Sequence, residues 1–237
     1  MKPSSNGEIA PLRLAATVLL VRDGPDGLQV FMVTRHRQIE FASGALVFPG
    51  GGVDPADRAF AGEDIERISR VAAIRETYEE CGVLLARPRG GGALAASAAP
   101  FHERVLGEEL ELSLDALTLF AHWITPPILP KRFDTRFYIV AAPADQTAVH
   151  DGGEAVDSIW IEPRRALEDA TRGRYALVLP TRLNLELLGQ SATAAEAIAA
   201  AAARRIASIE PSAEKTATGY RLTIPADAGY GGPHFDV

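Results

Sequence analysis

Three glutamates in one short stretch of the chain are the residues best suited to chemistry. Glu76, Glu79 and Glu80 stand at spacings of i, i+3 and i+4, so on a helix their carboxylates share one face. Three negative charges this close repel one another, and a divalent cation would neutralise them. Carboxylate oxygens suit Mg²⁺, which also binds substrate phosphates, and Mn²⁺ could replace it. A charged run is more often only a solvated helix face, so the surroundings must decide.

A glycine-rich segment upstream could bring a phosphate to such a metal. Phe48 and Pro49 lead into Gly50, Gly51 and Gly52, after a short apolar run. Glycines let the backbone approach a phosphate or a metal closely, so that its N–H and carbonyl groups become ligands. A bound cation would screen phosphate charge, polarise the phosphoryl oxygen and lower the pKa of an attacking water. Together the glycines and glutamates therefore indicate hydrolysis of a diphosphate.

The carboxylates need a rigid element, and the sequence predicts a helix over Ile65–Cys81. Apolar side chains recur in it at i, i+3, i+7 and i+10, and this stripe lies nearly opposite the glutamates. One side of the helix should thus pack on a sheet while the other presents carboxylates. Gly82 is suited to end the helix, as a glycine just past the last turn commonly does. The apolar stripe consists of Val71, Ile74, Tyr78 and Cys81.

The rest of the chain alternates strand-like and helix-like segments, which predicts an α/β class with a mixed sheet. A turn cluster at residues 23–27 should join the first two strands as a hairpin. The Gly/Ala-rich segment 87–100 predicts a flexible surface connection. The predicted strands are 12–21, 28–34, 45–48, 117–124, 135–142, 156–161 and a short 221–224, and the further predicted helices are 101–112, one beginning near Pro163, 181–188 and 193–209.

Length and composition limit the partners. The 237 residues suit one domain, which we expect over residues 10–190, with a helical extension over 191–237 packed on it. A net charge of −7 argues against nucleic acid as a partner. The single cysteine, Cys81, allows no internal disulfide and fits a reducing compartment. No signal-peptide pattern or apolar run of about 20 residues is present, so we expect a cytoplasmic protein without membrane contact; a homodimer stays open.

The glutamate stretch resembles the signature of the Nudix hydrolases. The nine residues from Arg75 read Arg-Glu-Thr-Tyr-Glu-Glu-Cys-Gly-Val, in which only Thr77 departs from the pattern by replacing an aliphatic residue. Gly51 takes the opening position of the signature, and Asp57 stands where a glutamate is expected. The distance from Asp57 to Arg75 is ten residues longer than in the short form. We assign this inserted segment to residues 58 to about 66.

The resemblance implies a Nudix-type α/β/α sandwich around a mixed β-sheet, and an enzyme that hydrolyses phosphorus anhydrides with Mg²⁺ or Mn²⁺. It implies Glu79 and Glu80 as the principal metal ligands, supported by Glu76 and Gly51. Glu79 also counts as catalytic, and Arg75 would pair with a neighbouring carboxylate and orient it.

A wider similarity points to the coenzyme A diphosphatase branch of this superfamily. Residues 41–51 and 132–137 carry it together with the lengthened signature, and it extends from about residue 15 to 188. Arg35 and Gly44 fit an arginine and a glycine of the branch, whereas Glu40 stands where a second arginine is expected. The similarity implies a nucleotide diphosphate substrate and, as in several Nudix enzymes, a further acid from a late loop. The candidate for that catalytic acid is Glu154, and the candidates for substrate binding are Arg35, Gly50, Gly51 and Arg136.

Three functions remain open on the sequence. The first is a diphosphatase of coenzyme A or acyl-coenzyme A. The second is the same chemistry on another nucleoside diphosphate conjugate, such as ADP-ribose or a dinucleotide. The third is a ligand-sensing Nudix module without turnover, which the retention of all three glutamates disfavours.

Overall fold

The computed structural model describes residues 9–35, 44–150, 152 and 155–236. The strands are β1 (Leu12–Gly24), β2 (Gly27–Arg35), β3 (Leu46–Val47), β4 (Gly50–Gly52), β5 (Ala86–Pro88), β6 (Leu110–Leu112), β7 (Thr118–Ile124), β8 (Arg132–Ala141), β9 (Ala155–Ile161), β10 (Ser208–Ile209), β11 (Ser212–Lys215), β12 (Tyr220–Thr223) and β13 (His234–Asp236). The helices are α1 (Arg58–Ala61), α2 (Ile65–Cys81), α3 (Phe101–Gly107), α4 (Pro163–Thr171), α5 (Leu179–Leu188) and α6 (Ala194–Ala203), with 3₁₀ turns at Pro55–Asp57 and Leu114–Ala116.

Strand β1 is the centre of the main sheet. It runs parallel to β8 over its first ten residues, and it forms the predicted hairpin with β2 at its far end. Near its beginning it pairs with β4 instead, so the glycine strand is attached directly to the middle of the sheet. The strand order is β10-β7-β8-β1-β2-β3, and β9 also pairs with β2. Parallel and antiparallel pairs occur together, which confirms the mixed sheet.

The main sheet carries helices on both faces. Ala16, Val18 and Leu20 of β1 pack with helix α2 in one core cluster. Leu19 and Val21, which point the other way because side chains alternate along a strand, pack in a second cluster with α4, α5 and α6. This layering confirms the predicted α/β/α sandwich, and it places α2, which carries the three glutamates, on one face of the sheet.

Helix α2 begins and ends at the predicted residues. The Asp64 carboxylate caps its N-terminus by accepting hydrogen bonds from the backbone N–H groups of Glu66 (2.9 Å) and Arg67. Gly82 ends it in the left-handed conformation, with φ at 71°, and donates its N–H to the Tyr78 carbonyl. Gly82 was predicted as the C-terminal cap, whereas the Asp64 cap was not singled out, although it is equally local in sequence.

Two helix predictions were wrong at their C-terminal ends. The helix predicted over 193–209 stops at Ala203, and Ser208–Ile209 form strand β10 beside β7. There Ile209 is buried in the core and Arg204 donates to the Phe120 carbonyl, so packing against β7 overrides the helix preference of the alanine run. The helix predicted over 101–112 ends at Gly107, after which Leu110–Leu112 pair with β5.

The C-terminal segment contributes more than a helix to the fold. Besides α6 it adds β10 to the main sheet and forms a separate small sheet of β11, β12 and β13. Leu222 and Ile224 are buried in the second core cluster, so the segment packs on the rest of the chain. Whether 191–237 is a separate unit, and whether 87–100 is mobile, stay predictions. In the described part of the chain, no helix is long and apolar enough to cross a membrane.

Removing the Ile209 side chain tests how firmly the C-terminal segment belongs to the core. We expect Ile209→Ala to lower the free energy of unfolding by about 2–5 kcal/mol, because a buried aliphatic side chain leaves a cavity when truncated. Leu106→Ala is the control, and since Leu106 is 69% exposed it should change stability by no more than about 0.5 kcal/mol. Urea unfolding of both variants measures this. Equal stabilities would contradict a structural role for β10.

Candidate active site

The glycine strand β4 touches α2 through its backbone. The Gly50 N–H donates a hydrogen bond of 2.9 Å to Oε2 of Glu80, which is buried. Gly50 has a φ of 154°, and a Cβ there would lie 2.4 Å from the Ala16 carbonyl oxygen and 2.6 Å from Thr17 Cα. A side chain at this position would collide with β1, so glycine is sterically required at Gly50.

The carboxylate of Glu76 lies against the backbone of Gly51. A Cβ built on Gly51 would be 2.6 Å from Glu76 Oε1 and 2.7 Å from Oε2. The opening residue of the signature therefore leaves room for a functional carboxylate. Glutamates from two successive turns of α2 are thus in contact with two successive glycines of β4.

Arg75 connects the remaining groups. Its Nε and Nη2 donate to the two oxygens of Asp57, at 2.9 and 3.1 Å. Its Nη1 donates to Glu76 Oε1 at 2.9 Å and to Glu79 Oε2 at 2.8 Å, and Nη2 also donates to the Gly52 carbonyl at 2.8 Å. Each of the five N–H groups of a guanidinium has an acceptor here. These contacts support the predicted role of Arg75, which is to pair with neighbouring carboxylates and orient them.

Arg75 remains a cation in this environment. Burial alone would favour the neutral form, but the hydrogen bond with Asp57, the charges of Glu76 and Asp57 and the bond with Glu79 outweigh it, and the pKa of the guanidinium lies well above its usual value. Glu79 is the most accessible of the three glutamates, with 45% of its side chain exposed against 13% for Glu76. The helix therefore presents Glu79 to the solvent side of the cluster.

Asp57 is fixed by a capped turn. It is fully buried, and its Oδ2 accepts the Asp54 N–H at 2.8 Å, while the Asp54 carboxylate accepts the Ala56 N–H at 2.7 Å. This reciprocal pair is a capping box. The sequence analysis did not single out Asp54, although an acid three residues before another acid is the signal of such a box. The turn holds the Asp57 carboxylate towards α2 despite the inserted segment that follows.

Thr77 and Cys81, two residues of the signature outside the charged set, have structural roles. Thr77 is buried where an aliphatic residue is usual, and its hydroxyl donates to the Ala73 carbonyl at 2.7 Å, which satisfies it within the helix. Cys81 is buried in the core beside α2. This agrees with core packing and leaves the thiol out of the site.

The donor set fits a hard divalent cation. Glu76, Glu79 and Glu80 offer carboxylate oxygens on one helix face, beside backbone carbonyls of β4. Within the described residues no three acidic or imidazole side chains converge on one point as a metal cluster. Instead Arg75 holds Glu76 and Glu79 at one shared nitrogen, and Gly50 holds Glu80. Glu76, Glu79, Glu80 and Gly51 as metal ligands stay a prediction that this arrangement supports.

Arg136 lies in a second charged network at the other end of α2. Its Nη1 donates to Asp134 at 3.0 Å and its Nε to Glu66 at 3.3 Å. Tyr138 also donates to Glu66, and burial, together with the Glu66 charge, raises the pKa of the Tyr138 hydroxyl. His122 lies 2.5 Å from the Asp134 carboxylate. Arg136 is thus paired with two acids, and a substrate contact by it stays a prediction.

The structure describes the backbone of Arg35 but not Glu154. The backbone of Arg35 ends β2 and pairs with that of Ala155, the first residue of β9. Glu154 immediately precedes Ala155 but lies outside the described residues, as does Glu40. Strand β3 pairs with the same end of β2 and leads into the glycine strand. The backbone therefore brings the end of β2 next to the beginning of β9 and to β3, which leads into β4.

The chain belongs to the NUDIX domain family, whose description matches residues 11–181. This match confirms the predicted family, and the sandwich confirms its fold. Among solved structures, a NUDIX hydrolase from Alicyclobacillus acidocaldarius aligns with 81% of this chain and 97% of its own, at 28% identity and a TM-score of 0.74.

Curated relatives share parts of the sequence. Nudix hydrolase 7 of Caenorhabditis elegans is 31% identical over 172 residues, which are 68% of this chain and 56% of that protein. A peroxisomal coenzyme A diphosphatase of the same organism is 41% identical over 66 residues, which are 28% of this chain and 25% of its own. The chain thus spans about half the length, or less, of these relatives.

A methyl group on Gly51 should displace Glu76 without unfolding the protein. We expect Gly51→Ala to weaken Mn²⁺ binding by about tenfold or more, the loss that follows when groups positioning a metal ligand are altered. Gly52→Ala, whose Cβ would meet nothing within 4 Å, should stay within about threefold of the parent. Titration with Mn²⁺ and thermal unfolding measure the two effects separately. Equal affinities of the two variants would contradict the contact between Gly51 and Glu76.

Proposed function

We propose that this protein hydrolyses a diphosphate linkage in a nucleotide-containing metabolite, with coenzyme A or an acyl-coenzyme A as the first candidate substrate. The observation that carries the proposal is the contact of two helix carboxylates with the glycine strand, while Arg75 holds the third, Glu79, beside them. Glu80 accepts the Gly50 N–H and Glu76 lies against Gly51. Glutamates that formed only a solvated helix face would make neither contact. The two contacts therefore disfavour that alternative.

The roles of the residues follow from their positions. A divalent cation, when bound, would neutralise phosphate charge and lower the pKa of the attacking water. Glu76, Glu79 and Glu80 would hold it, and the exposure of Glu79 suits it to face the substrate or that water. Arg75 keeps two of these carboxylates oriented, and its raised pKa keeps it charged. Gly50 and Gly51 allow the close approach of a phosphate.

The substrate assignment has weaker support than the chemistry. The local similarity to a coenzyme A diphosphatase favours coenzyme A, as do Arg35 and Gly44 at the branch positions. Glu40, in place of an arginine, keeps ADP-ribose, dinucleotides and other nucleoside diphosphate conjugates as alternatives. A screen of these compounds with Mg²⁺, read by product mass, distinguishes them. Failure to cleave any of them, with binding retained, would favour the ligand-sensing alternative.

We also propose Mg²⁺ as the metal in the cell, with Mn²⁺ able to replace it, and the cytoplasm as the compartment. A site whose ligands are all oxygen atoms suits Mg²⁺. The single cysteine is buried and takes part in no disulfide, which fits a reducing compartment.

Replacing the carboxylates by amides tests the metal role directly. We expect Glu79→Gln and Glu80→Gln each to lower turnover by at least about 100-fold, beyond the 10- to 100-fold usually contributed by the outer partners of ligands. The fold should persist, because glutamine keeps an oxygen that can accept the Gly50 N–H. Glu103→Gln, on an exposed residue of α3, is the control. Near-parental turnover of both variants, or activity unchanged by EDTA, would place the reaction elsewhere.

Arg35 tests the choice of substrate. If its guanidinium binds the 3′-phosphate of coenzyme A, Arg35→Ala should remove about 1.5–3 kcal/mol of binding, which is roughly tenfold or more in KM. That loss should be absent with 3′-dephospho-coenzyme A. Arg87→Ala, an exposed arginine paired with Glu111, is the control. An equal loss on both substrates would move Arg35 to the diphosphate, and no loss would favour another nucleotide.

A further inference from the structure

His102, on helix α3, points a buried nitrogen at the active-site cluster. Its Nε2 is buried and makes no hydrogen bond within the described part of the chain. The polar atom facing it is Oδ1 of Asp57, at 3.7 Å. About 30% of the side chain is exposed, so the buried edge of the ring faces the carboxylate. A polar atom left unpaired inside a protein calls for an explanation.

Asp57 has room for one more donor on the side of His102. Its Oδ2 already accepts the Asp54 N–H and an N–H of Arg75 Nη2, whereas Oδ1 accepts only the Arg75 Nε–H within the residues that the structure describes. A carboxylate oxygen accepts about two hydrogen bonds. A shift of less than 1 Å would bring Nε2–H of His102 from 3.7 Å into hydrogen-bond range. The imidazole thus faces the unsatisfied position of the carboxylate.

The inserted segment of the signature holds this imidazole in place. Phe60, on α1 of the insertion, stacks on the His102 ring with centroids 5.4 Å apart and an interplanar angle of 24°. Phe60 also meets Phe101 edge-on at 6.1 Å, and Phe101 is buried against Tyr78 of α2. The ring therefore lies between the insertion and the catalytic helix, with its plane set by Phe60.

We propose that His102 is a positioning residue of the active site, which donates to Asp57 and thereby fixes the Asp57–Arg75 pair that orients Glu76 and Glu79. An aspartate reaches one methylene less far than the glutamate usual at this position, and His102 occupies the space beside it. The inserted segment supplies Phe60 to hold the histidine, so the two departures from the signature act together. The inference rests on the proposed function only in assigning a metal to Glu76 and Glu79.

The test compares three replacements of His102 by their Mn²⁺ affinity, measured on the full chain without substrate. His102→Phe keeps the ring and the stack but removes the donor, and His102→Asn carries an amide too short to reach Asp57. Both should weaken Mn²⁺ binding by about tenfold, the lower end for groups that orient metal ligands. His102→Gln places an amide nitrogen near the position of Nε2 and should recover most of the affinity. His234→Phe, in the small C-terminal sheet, is the control.

A double-mutant cycle with Asp57→Asn shows whether His102 acts through Asp57. In that background His102→Phe should cause little further loss, because the coupling is already broken. Additive losses, parental affinity in all His102 variants, or equal losses in the phenylalanine and glutamine variants would each overturn the proposal. So would failure of all three variants to fold, which would make His102 a purely structural residue. If only the phenylalanine variant misfolds, the Mn²⁺ affinities of the asparagine and glutamine variants still test the proposal, because only glutamine should recover the affinity.

The proposed function can fail separately. A parent protein that binds Mn²⁺ but cleaves no diphosphate would remove the proposed reaction and leave the His102 comparison valid. Parental turnover with unchanged Mn²⁺ affinity in every His102 variant would overturn only the positioning role.

Discussion

The active-site end of the molecule depends on one buried guanidinium. Arg75 satisfies the fully buried Asp57, orients two glutamates of its own helix and joins both to the Gly52 carbonyl. Breaking a buried ion pair by removing one partner typically costs about 3–5 kcal/mol, since it leaves the other charge uncompensated. Lysine has three donors on a flexible stem and could not satisfy the same five directions. The same contacts that stabilise this end of the fold therefore also orient the glutamates proposed to bind the metal.

The glycine strand makes this contact sterically feasible. Because β4 pairs with β1 near its beginning, the Gly50 backbone lies so close to β1 that a side chain would collide with Ala16 and Thr17. Because Gly50 has no side chain, its backbone can approach this closely, and its N–H donates a hydrogen bond to Glu80. A carboxylate buried in this way needs such a donor.

Helix α2 is attached at both ends to the sheet. Near its C-terminal end, Arg75 bonds Glu76 and Glu79, and Gly50 of β4 bonds Glu80. At its first turn Glu66 bonds Arg136 and Tyr138 of β8, and Arg136 continues to Asp134. The chain of contacts extends through His122 to Ser208 of β10, at 2.7 Å. The C-terminal segment is thereby linked to α2. Its alanine-rich sequence does not indicate this connection.

The sequence by itself determined the elements whose signals are local. The spacing of Glu76, Glu79 and Glu80 required a common helix face, and Asp64 and Gly82 fixed where that helix begins and ends. The alternation of strands and helices predicted the mixed sheet, and the resemblance of the signature to the Nudix family predicted the sandwich. Contacts between distant segments were decided only by the tertiary structure: that Ser208–Ile209 form a strand, that Arg136 pairs with Glu66, and that His102 and Phe60 lie beside Asp57. Helix spacing and caps act over a few residues and leave a pattern in the sequence, whereas a pairing across 45 residues, such as Asp57 with His102, depends on how two surfaces pack.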